Sequence, residues 1–367
     1  MKDGLFPLEG EIRRRIRLAG PIPVAEYMTL CLSHPEHGYY VTRDPLGASG
    51  DFTTSPEIGQ VFGELLGLWA ATVWQQMGAP AEVNLVELGP GRGTLMADAL
   101  RATRKVAGFH EALRVHLVEM SPVLRQRQQQ ALEKYALPLA WHGSLTDAPD
   151  GRAIVLANEF YDALPVHQAV KQNGAWFERM VGIDDAGRFA FTLATSPLLH
   201  FERFLPPAVR EAADGAMFEW RSDSAALELG RRVMRGAGAA LVIDYGHVAS
   251  ATGETLQAVG NHAYADPLVG PGLVDLTAHV DFEALARAAG TMGATAHGPV
   301  DQGDFLQRLG IDQRTATLRR NATPDQARQI ETASLRLTAG GRAGMGRLFK
   351  VLGLGHPDLG VLPGFET

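Results

Sequence analysis

The sequence predicts an α/β fold of Rossmann-like type, with a mostly parallel sheet, on three observations. Short runs rich in Val, Leu and Ile recur at 83–88, 113–119, 153–158 and 241–246. They are largely apolar and do not alternate strictly, which is the pattern of strands covered on both faces. Helix-like stretches at 94–106 and 122–135 separate the first of them. A glycine-rich turn, Gly89-Pro90-Gly91-Arg92-Gly93, stands where the first strand would pass into the first helix.

A chain of 367 residues, 46% hydrophobic, can build one enlarged α/β domain or a core with a second lobe. Its net charge of −7 comes from 34 basic and 41 acidic residues. That balance gives no general attraction for phosphate backbones, so nucleic acid is not expected as a partner. The single cysteine, Cys31 in Leu30-Cys31-Leu32, reads as a small core residue. One thiol can form neither an internal disulfide nor a cysteine-rich zinc site, and no metal is expected. No run of about 18 apolar residues occurs, so membrane insertion is not expected. The opening Met-Lys-Asp-Gly lacks an apolar signal core, and a reducing, cytoplasmic setting is expected. In the basic stretch Ile12 to Arg17, Ile12 and Ile16 sit at i, i+4, which predicts a helix with one apolar edge and a solvated basic face.

Residues 1–80 read as a helical cap with a loop. Pro23 to Leu32 has helical spacing, and Gly47 to Glu57 is a polar loop. Ser55 before Pro56 predicts a helix start, with the serine as N-cap and the helix running to about Met77. Its apolar run, Val61 to Trp74, is interrupted by Glu64. Residues 81–165 and 241–367 read as the cofactor-binding core, with a weak third strand at 139–141 and later helices at 281–289 and 324–339. Residues 166–240 break the rhythm. Strands at 167–170, 176–181 and 189–193, with turns at Asn173-Gly174 and Asp184 to Gly187, predict an antiparallel insertion, and a helix follows at 224–235. The segment from Gly340 onward carries no clear pattern.

Gly89, Gly91 and Gly93 permit a tight turn and a close approach of bare backbone to a ligand, and Thr94 opens the helix behind them. A dinucleotide site has the spacing G-x-G-x-x-G, with pyrophosphate at the helix N-terminus. This loop is G-x-G-x-G, and Glu87 stands two residues before it. A carboxylate there repels pyrophosphate and attracts the ammonium of a methionine-like moiety, directly or through water. The spacing therefore favours S-adenosyl-L-methionine, with a dehydrogenase as the remaining outsider. Glu119, next to Met120, ends the second strand, where an acid accepts from a ribose diol; it is equally placed to interact with the helix opening at Ser121-Pro122. Ser144 and Leu145 follow the third strand, either beside an adenine or in an ordinary loop. Asn158, Glu159 and Asp162 follow the fourth strand, at the sheet edge where ligands sit. The two carboxylates are candidates to hold a guanidinium by forked hydrogen bonds, and Asn158 to face substrate or cofactor. The alternative is that Asn158 and Glu159 cap a following helix. Asp244, with His247, ends the fifth strand as a secondary candidate.

Several segments together resemble one family, the MidA-like methyltransferases, which include a mitochondrial complex I assembly factor that methylates arginine. They are Pro21 to Met28 with His37-Gly38-Tyr39-Tyr40, Gly50 to Glu57, Asn158 to Pro165, and Asp275 to Phe282. Met345 to Lys350 extends the match. The resemblance implies a seven-stranded class I methyltransferase core with an N-terminal helical cap and S-adenosyl-L-methionine as cofactor. It further implies a protein arginine as acceptor, on a respiratory complex I subunit. Asp51, Thr53, Thr54 and Ser55 then become candidates to close over the cofactor or the target side chain, with a helix cap and turn as the alternative. A methyltransferase for another acceptor, or an assembly factor that binds the cofactor without using it, are the competing readings.

Overall fold

The computed structural model describes residues 6–42, 54–260, 263–320, 322–341 and 344–366. The chain divides into two compact units, Met1–Pro45 with Asp162–Ser222 and Ala249–Asp281, and Leu46–Tyr161 with Asp223–Val248 and Phe282–Thr367.

The larger unit contains the predicted sheet. Its strands are β1 (Val83–Leu88), β2 (Leu113–Val118), β3 (Leu139–His142), β4 (Ala153–Asn158), β5 (Ala239–His247), β6 (Thr295–Asp301) and β7 (Phe349–Gly355). They lie in the order β6-β7-β5-β4-β1-β2-β3. Strands β1 to β5 pair in parallel, while β7 runs antiparallel to both β5 and β6. Every residue of β1 and β4 is buried, Asn84 and Glu87 of β1 included, as a strand covered on both faces requires. Both β6 and β7 escaped the sequence pattern. Most of β6 is exposed or half-buried at the sheet edge, and β7 carries Lys350 and two glycines among its apolar residues.

The helices of this unit begin with α1 (Ser55–Ile58) and α2 (Gln60–Gln76), then α3 (Thr94–Thr103), α4 (Pro122–Leu132) and α5 (Ser224–Gly236). The single helix expected from Ser55 to Met77 is corrected to two. Gly59 is extended at φ −179°, and the N-cap is Thr54 rather than Ser55. A Cβ on Gly59 would lie 3.0 Å from the Ala333 Cβ, so the break lets the chain pass close to the helix Pro324–Thr338.

Glu64 does not break α2. Its carboxylate is fully buried and accepts from Arg101 and, in a forked pair at 2.7 and 2.9 Å, from Arg314. Removing the acid strands the Arg314 guanidinium and leaves Arg101 with Asp98 alone, though each guanidinium is partly exposed and can turn to water. Glu64→Ala is therefore expected to lose about 3 kcal/mol of stability, the lower end for a broken buried pair. Urea unfolding measures this, and a loss within about 0.5 kcal/mol, the size of an ordinary surface change, would contradict it.

In the smaller unit, the helices Pro7–Ala19 and Val24–Ser33 share a core with the insertion. Leu8, Ile12, Tyr27 and Met28 are buried together with Val166 and Val181. Ile22 also pairs with Val181 across an antiparallel ladder. The strands run in the order Ile22–Pro23, Ala175–Ile183, Val166–Gln172, Met217–Arg221, and Phe189–Leu193 pairs with the second of these. The last-named strand in that order was not expected, because Phe218 is its one fully buried side chain and it makes no alternation. Shared burial is why the first 45 residues group with the insertion, whereas the sequence grouped them with 46–80. Arg13 and Arg15 pair with Glu9 and Glu11 one turn earlier; Arg14 and Arg17 are exposed, while Arg13 departs from the expected solvated face by donating to the Gly187 carbonyl and lying over the Phe189 ring. Cys31 is buried, and its thiol is pushed up to about 12, which suits a core residue.

Candidate active site

The glycine loop connects β1 to α3. Gly89, Gly91 and Gly93 have φ of +60°, +54° and +83°, the left-handed region that side chains disfavour. A Cβ on Gly89 would stand 3.0 Å from the Phe160 ring, and one on Gly93 3.3 Å from the Gln128 Cα. Gly93 is the N-cap of α3 and uses no side chain to cap it, which leaves backbone N–H groups at the helix start.

Register places the acids. Glu87 pairs with Leu117 on one side and Leu156 on the other. Parallel partners point to the same face, and residues two apart on a strand share it. Glu119 and Asn158, two beyond those partners, therefore lie on the Glu87 face at the carboxyl edge. Glu87 is 3% exposed and its Oε2 has no hydrogen-bond partner among the described residues. Burial pushes its carboxyl up to about 8. An orphaned buried carboxyl is costly unless a cationic ligand meets it, so the residues present fit an ammonium-bearing cofactor. The Glu119 carboxyl is raised from its ordinary value, chiefly by burial, against the lowering effect of its hydrogen bonds. It accepts from the Ser121 N–H at 2.8 Å at the start of α4, so the helix-terminal role of this acid is real.

The chain after β4 forms a turn, so the expectation that Asn158 and Glu159 cap a following helix is corrected. Asp244, fully buried, accepts from the N–H groups of Phe160 and Tyr161 at 3.2 and 2.9 Å and holds that turn. Glu159 sits at φ +48°, a strained position for a non-glycine residue. Its Oε1 accepts from the Ser55 N–H at 2.8 Å and from Asn158 Nδ2 at 3.2 Å. The Oδ1 of Asn158 is buried without a partner among the described residues. The segment entering α1 is thus anchored twice, since Glu57 also accepts from Thr94 Oγ1 at 2.5 Å. The structure brings Thr54, Ser55, Thr94, the glycine loop, Asn158, Glu159 and Asp244 into one unit. Asp51 and Thr53 lie outside the described residues.

The other candidates are placed as follows. Met120 is 56% exposed beside Glu119. Ser144 and Leu145 are half-buried, and Ser144 forms a capping box with Asp147. Asp162 belongs to the smaller unit, where its carbonyl accepts from Arg221 and from the Ala278 N–H. Three positioning residues had no sequence signal. Arg221 donates to the carbonyls of Asp162, Leu164, Ala278 and His279 and so joins two of the family-like segments. Arg232 donates to the carbonyls of Leu145, Ala148 and Pro149. Gln128, fully buried on α4, bonds to Gly91 and Glu119. Each acts through backbone or long-range contacts that leave no motif.

A sheet in this order with one antiparallel strand, a glycine loop after its first strand, and buried acids along its carboxyl edge define a class I methyltransferase dependent on S-adenosyl-L-methionine. Residues 65–300 match the family described as "Putative S-adenosyl-L-methionine-dependent methyltransferase". The chain is 39% identical to the protein arginine methyltransferase NDUFAF7 homolog, mitochondrial, of Drosophila melanogaster, over 96% of this chain and 86% of that one. It is 37% identical to the protein arginine methyltransferase NDUFAF7, mitochondrial, of Homo sapiens, over 89% of this chain and 79% of that one. Among solved structures, a "likely methyl transferase" from Burkholderia thailandensis bound to S-adenosyl-homocysteine superposes with a TM-score of 0.85 at 31% identity, covering 98% of this chain and 94% of that one. The chain belongs to the MidA-like family of S-adenosyl-L-methionine-dependent methyltransferases. The expected cytoplasmic location is corrected by these relatives, whose names place them in mitochondria. No helix among the described residues is long and apolar enough to cross a membrane.

Proposed function

We propose that this protein methylates a nitrogen of a protein arginine, with a respiratory complex I subunit as the acceptor the family resemblance implies. The observation that carries the reading is the Glu159 carboxylate, fixed at the carboxyl edge by Ser55 and Asn158 on a strained backbone. The relatives named as protein arginine methyltransferases support the acceptor class.

The cofactor, when bound, supplies an electrophilic methyl group on a sulfonium. Glu87, Gly89, Gly91, Gly93, Thr94, Glu119 and Met120 are the residues to hold it, with Ser144 and Leu145 beside the adenine and Asn158 beside the methionine end. Glu87 offers a counter-charge to an ammonium. Glu119 keeps an acceptor position free for a ribose hydroxyl. Glu159 would orient a guanidinium nitrogen by a charge-assisted hydrogen bond; as that nitrogen took the methyl group and the sulfonium left as a neutral thioether, the displaced N–H proton would pass by way of the Glu159 carboxylate to solvent, and the methylguanidinium would keep its positive charge. Asp162 is a second carboxylate three residues further along the chain. Asp244 holds the turn that carries Glu159, and Ser55, next to Thr54 at the entry to α1, fixes the Glu159 carboxylate through its N–H.

Incubation of the protein with labelled cofactor and a mitochondrial extract tests the acceptor. Label on a protein band, with methylarginine found by mass spectrometry, is expected. Cofactor binding with no transfer to any protein would leave an assembly factor as the reading. Glu159→Gln keeps the acceptor oxygen for Ser55 but loses the charge. It is expected to slow transfer about a hundredfold, or ~2.7 kcal/mol of barrier, with S-adenosylhomocysteine affinity changed less than about threefold. An equal collapse of binding would move Glu159 to the cofactor's own contacts.

A further inference from the structure

We propose that Gln128 is a positioning residue that ties the glycine loop to the Glu119 carboxylate and so sets how strongly the site recognises the cofactor's ribose. The inference rests on the reading of Glu119 as the ribose-binding acid.

Gln128 is fully buried. Its Nε2 donates to the Gly91 carbonyl at 2.7 Å and to Glu119 Oε2 at 3.1 Å, and its Oε1 accepts from Trp141 Nε1 at 2.8 Å. These partners allow one orientation of the amide. An indole N–H can only donate and a peptide carbonyl can only accept, so a flipped amide would face acceptor with acceptor and donor with donor. Both amide hydrogens and the carbonyl are thus engaged with three separate stretches of chain: the glycine loop, the end of β2 and β3.

The Glu119 carboxylate is set by the same network. Its Oε1 takes the Ser121 N–H at 2.8 Å and its Oε2 takes Gln128. The backbone is pinned as well, because the Glu119 N–H donates to the His142 carbonyl at 3.0 Å and its carbonyl accepts from Arg125 at 2.8 Å. A carboxylate has about four acceptor positions. The Ser121 N–H on Oε1, Gln128 on Oε2 and the neighbouring Met120 N–H take three of them, which leaves one for a ribose hydroxyl in the orientation the network sets. Without the amide the carboxylate can rotate about its last bonds, and the Gly91 carbonyl loses its partner. Packing alone does not call for a glutamine here. Methionine fills nearly the same volume, and a buried amide is tolerated only when its bonds are made.

Calorimetry with S-adenosylhomocysteine and its 2′-deoxy analogue tests this on the intact protein. Wild type is expected to prefer the parent ligand by at least about tenfold, the worth of one charge-assisted hydrogen bond. In Gln128→Met the preference is expected to fall below about threefold, whatever happens to overall affinity. Trp141→Phe removes the donor that fixes the amide, and is expected to lower the preference part of the way. A folded Gln128→Met with the wild-type preference, even if both ligands bind more weakly, would make Gln128 a packing residue and overturn the proposal. Should that variant not fold, an undiminished preference in Trp141→Phe overturns it equally. A wild-type protein without preference refutes the ribose role of Glu119 itself, and this is seen before any substitution is made.

Discussion

Gly91→Val is expected to lower affinity for S-adenosylhomocysteine at least about a hundredfold, or ~2.7 kcal/mol. Two effects add. Gly91 has φ +54°, and a β-branched residue in that region costs about 1–2 kcal/mol and is relieved only by moving the loop. Moving the loop also breaks the 2.7 Å bond from Gln128 to the Gly91 carbonyl. The new side chain stands on a backbone that the cofactor must approach closely. Isothermal calorimetry measures the loss, and far-UV circular dichroism checks that the variant is folded. Gly89→Val is a second probe with a different neighbour, since its Cβ would press on the Phe160 ring at 3.0 Å. Wild-type affinity in either folded variant would place the cofactor elsewhere.

Glu87→Gln is expected to strengthen the empty fold and weaken the loaded one. Burial pushes the Glu87 carboxyl from an ordinary 4.5 up to about 8 in the fold. The folded chain therefore holds this proton where the unfolded chain has released it, and stability falls with rising pH between those values. The contribution is fully present below about pH 4.5, is lost as pH climbs to about 8, and is flat beyond. Each pH step of one across that window removes at most about 1.4 kcal/mol, so the loss amounts to several kcal/mol as an upper bound. Glutamine carries no charge. The variant's melting temperature should match wild type at pH 4.5 and exceed it at pH 8. Binding runs the other way, because an ammonium gains from the ionised form. Affinity for S-adenosylhomocysteine at pH 8 should drop about tenfold to a hundredfold in the variant, the range for a lost charge-assisted bond. At pH 7 wild type should release up to about one proton on binding, and the variant none, as read from calorimetry in buffers of different ionisation enthalpy. Equal affinity and equal proton release in the two proteins would remove Glu87 from the ammonium's contacts.

Legibility followed how local each signal was. Strand β1 is bounded in the structure at Val83–Leu88, where the β-rich run placed it, because a strand buried on both faces draws most of its residues, here Val83, Leu85, Val86 and Leu88, from apolar types. The glycine loop was legible for a comparable reason: three left-handed positions in five residues leave little but glycine to occupy them. Strands β6 and β7 were not legible. One is an edge strand with its side chains largely in solvent, and the other is interrupted by glycines. The break at Gly59 was hidden because Ser55-Pro56 announces a helix but nothing local says where the next one begins.

The amino-acid order alone determined the parallel core, the position of the glycine loop and the acids Glu87 and Glu119 at its sides, because each depends on neighbours within a strand and a turn. Tertiary structure decided what those acids are. It left the Glu87 carboxyl buried and unmet, gave Glu119 a glutamine from a helix and a tryptophan behind it, and held Glu159 with the backbone of Ser55, 104 residues away. Burial and hydrogen bonding between distant segments set the charge and direction of a side chain, and neither is carried by the residues next to it in the chain.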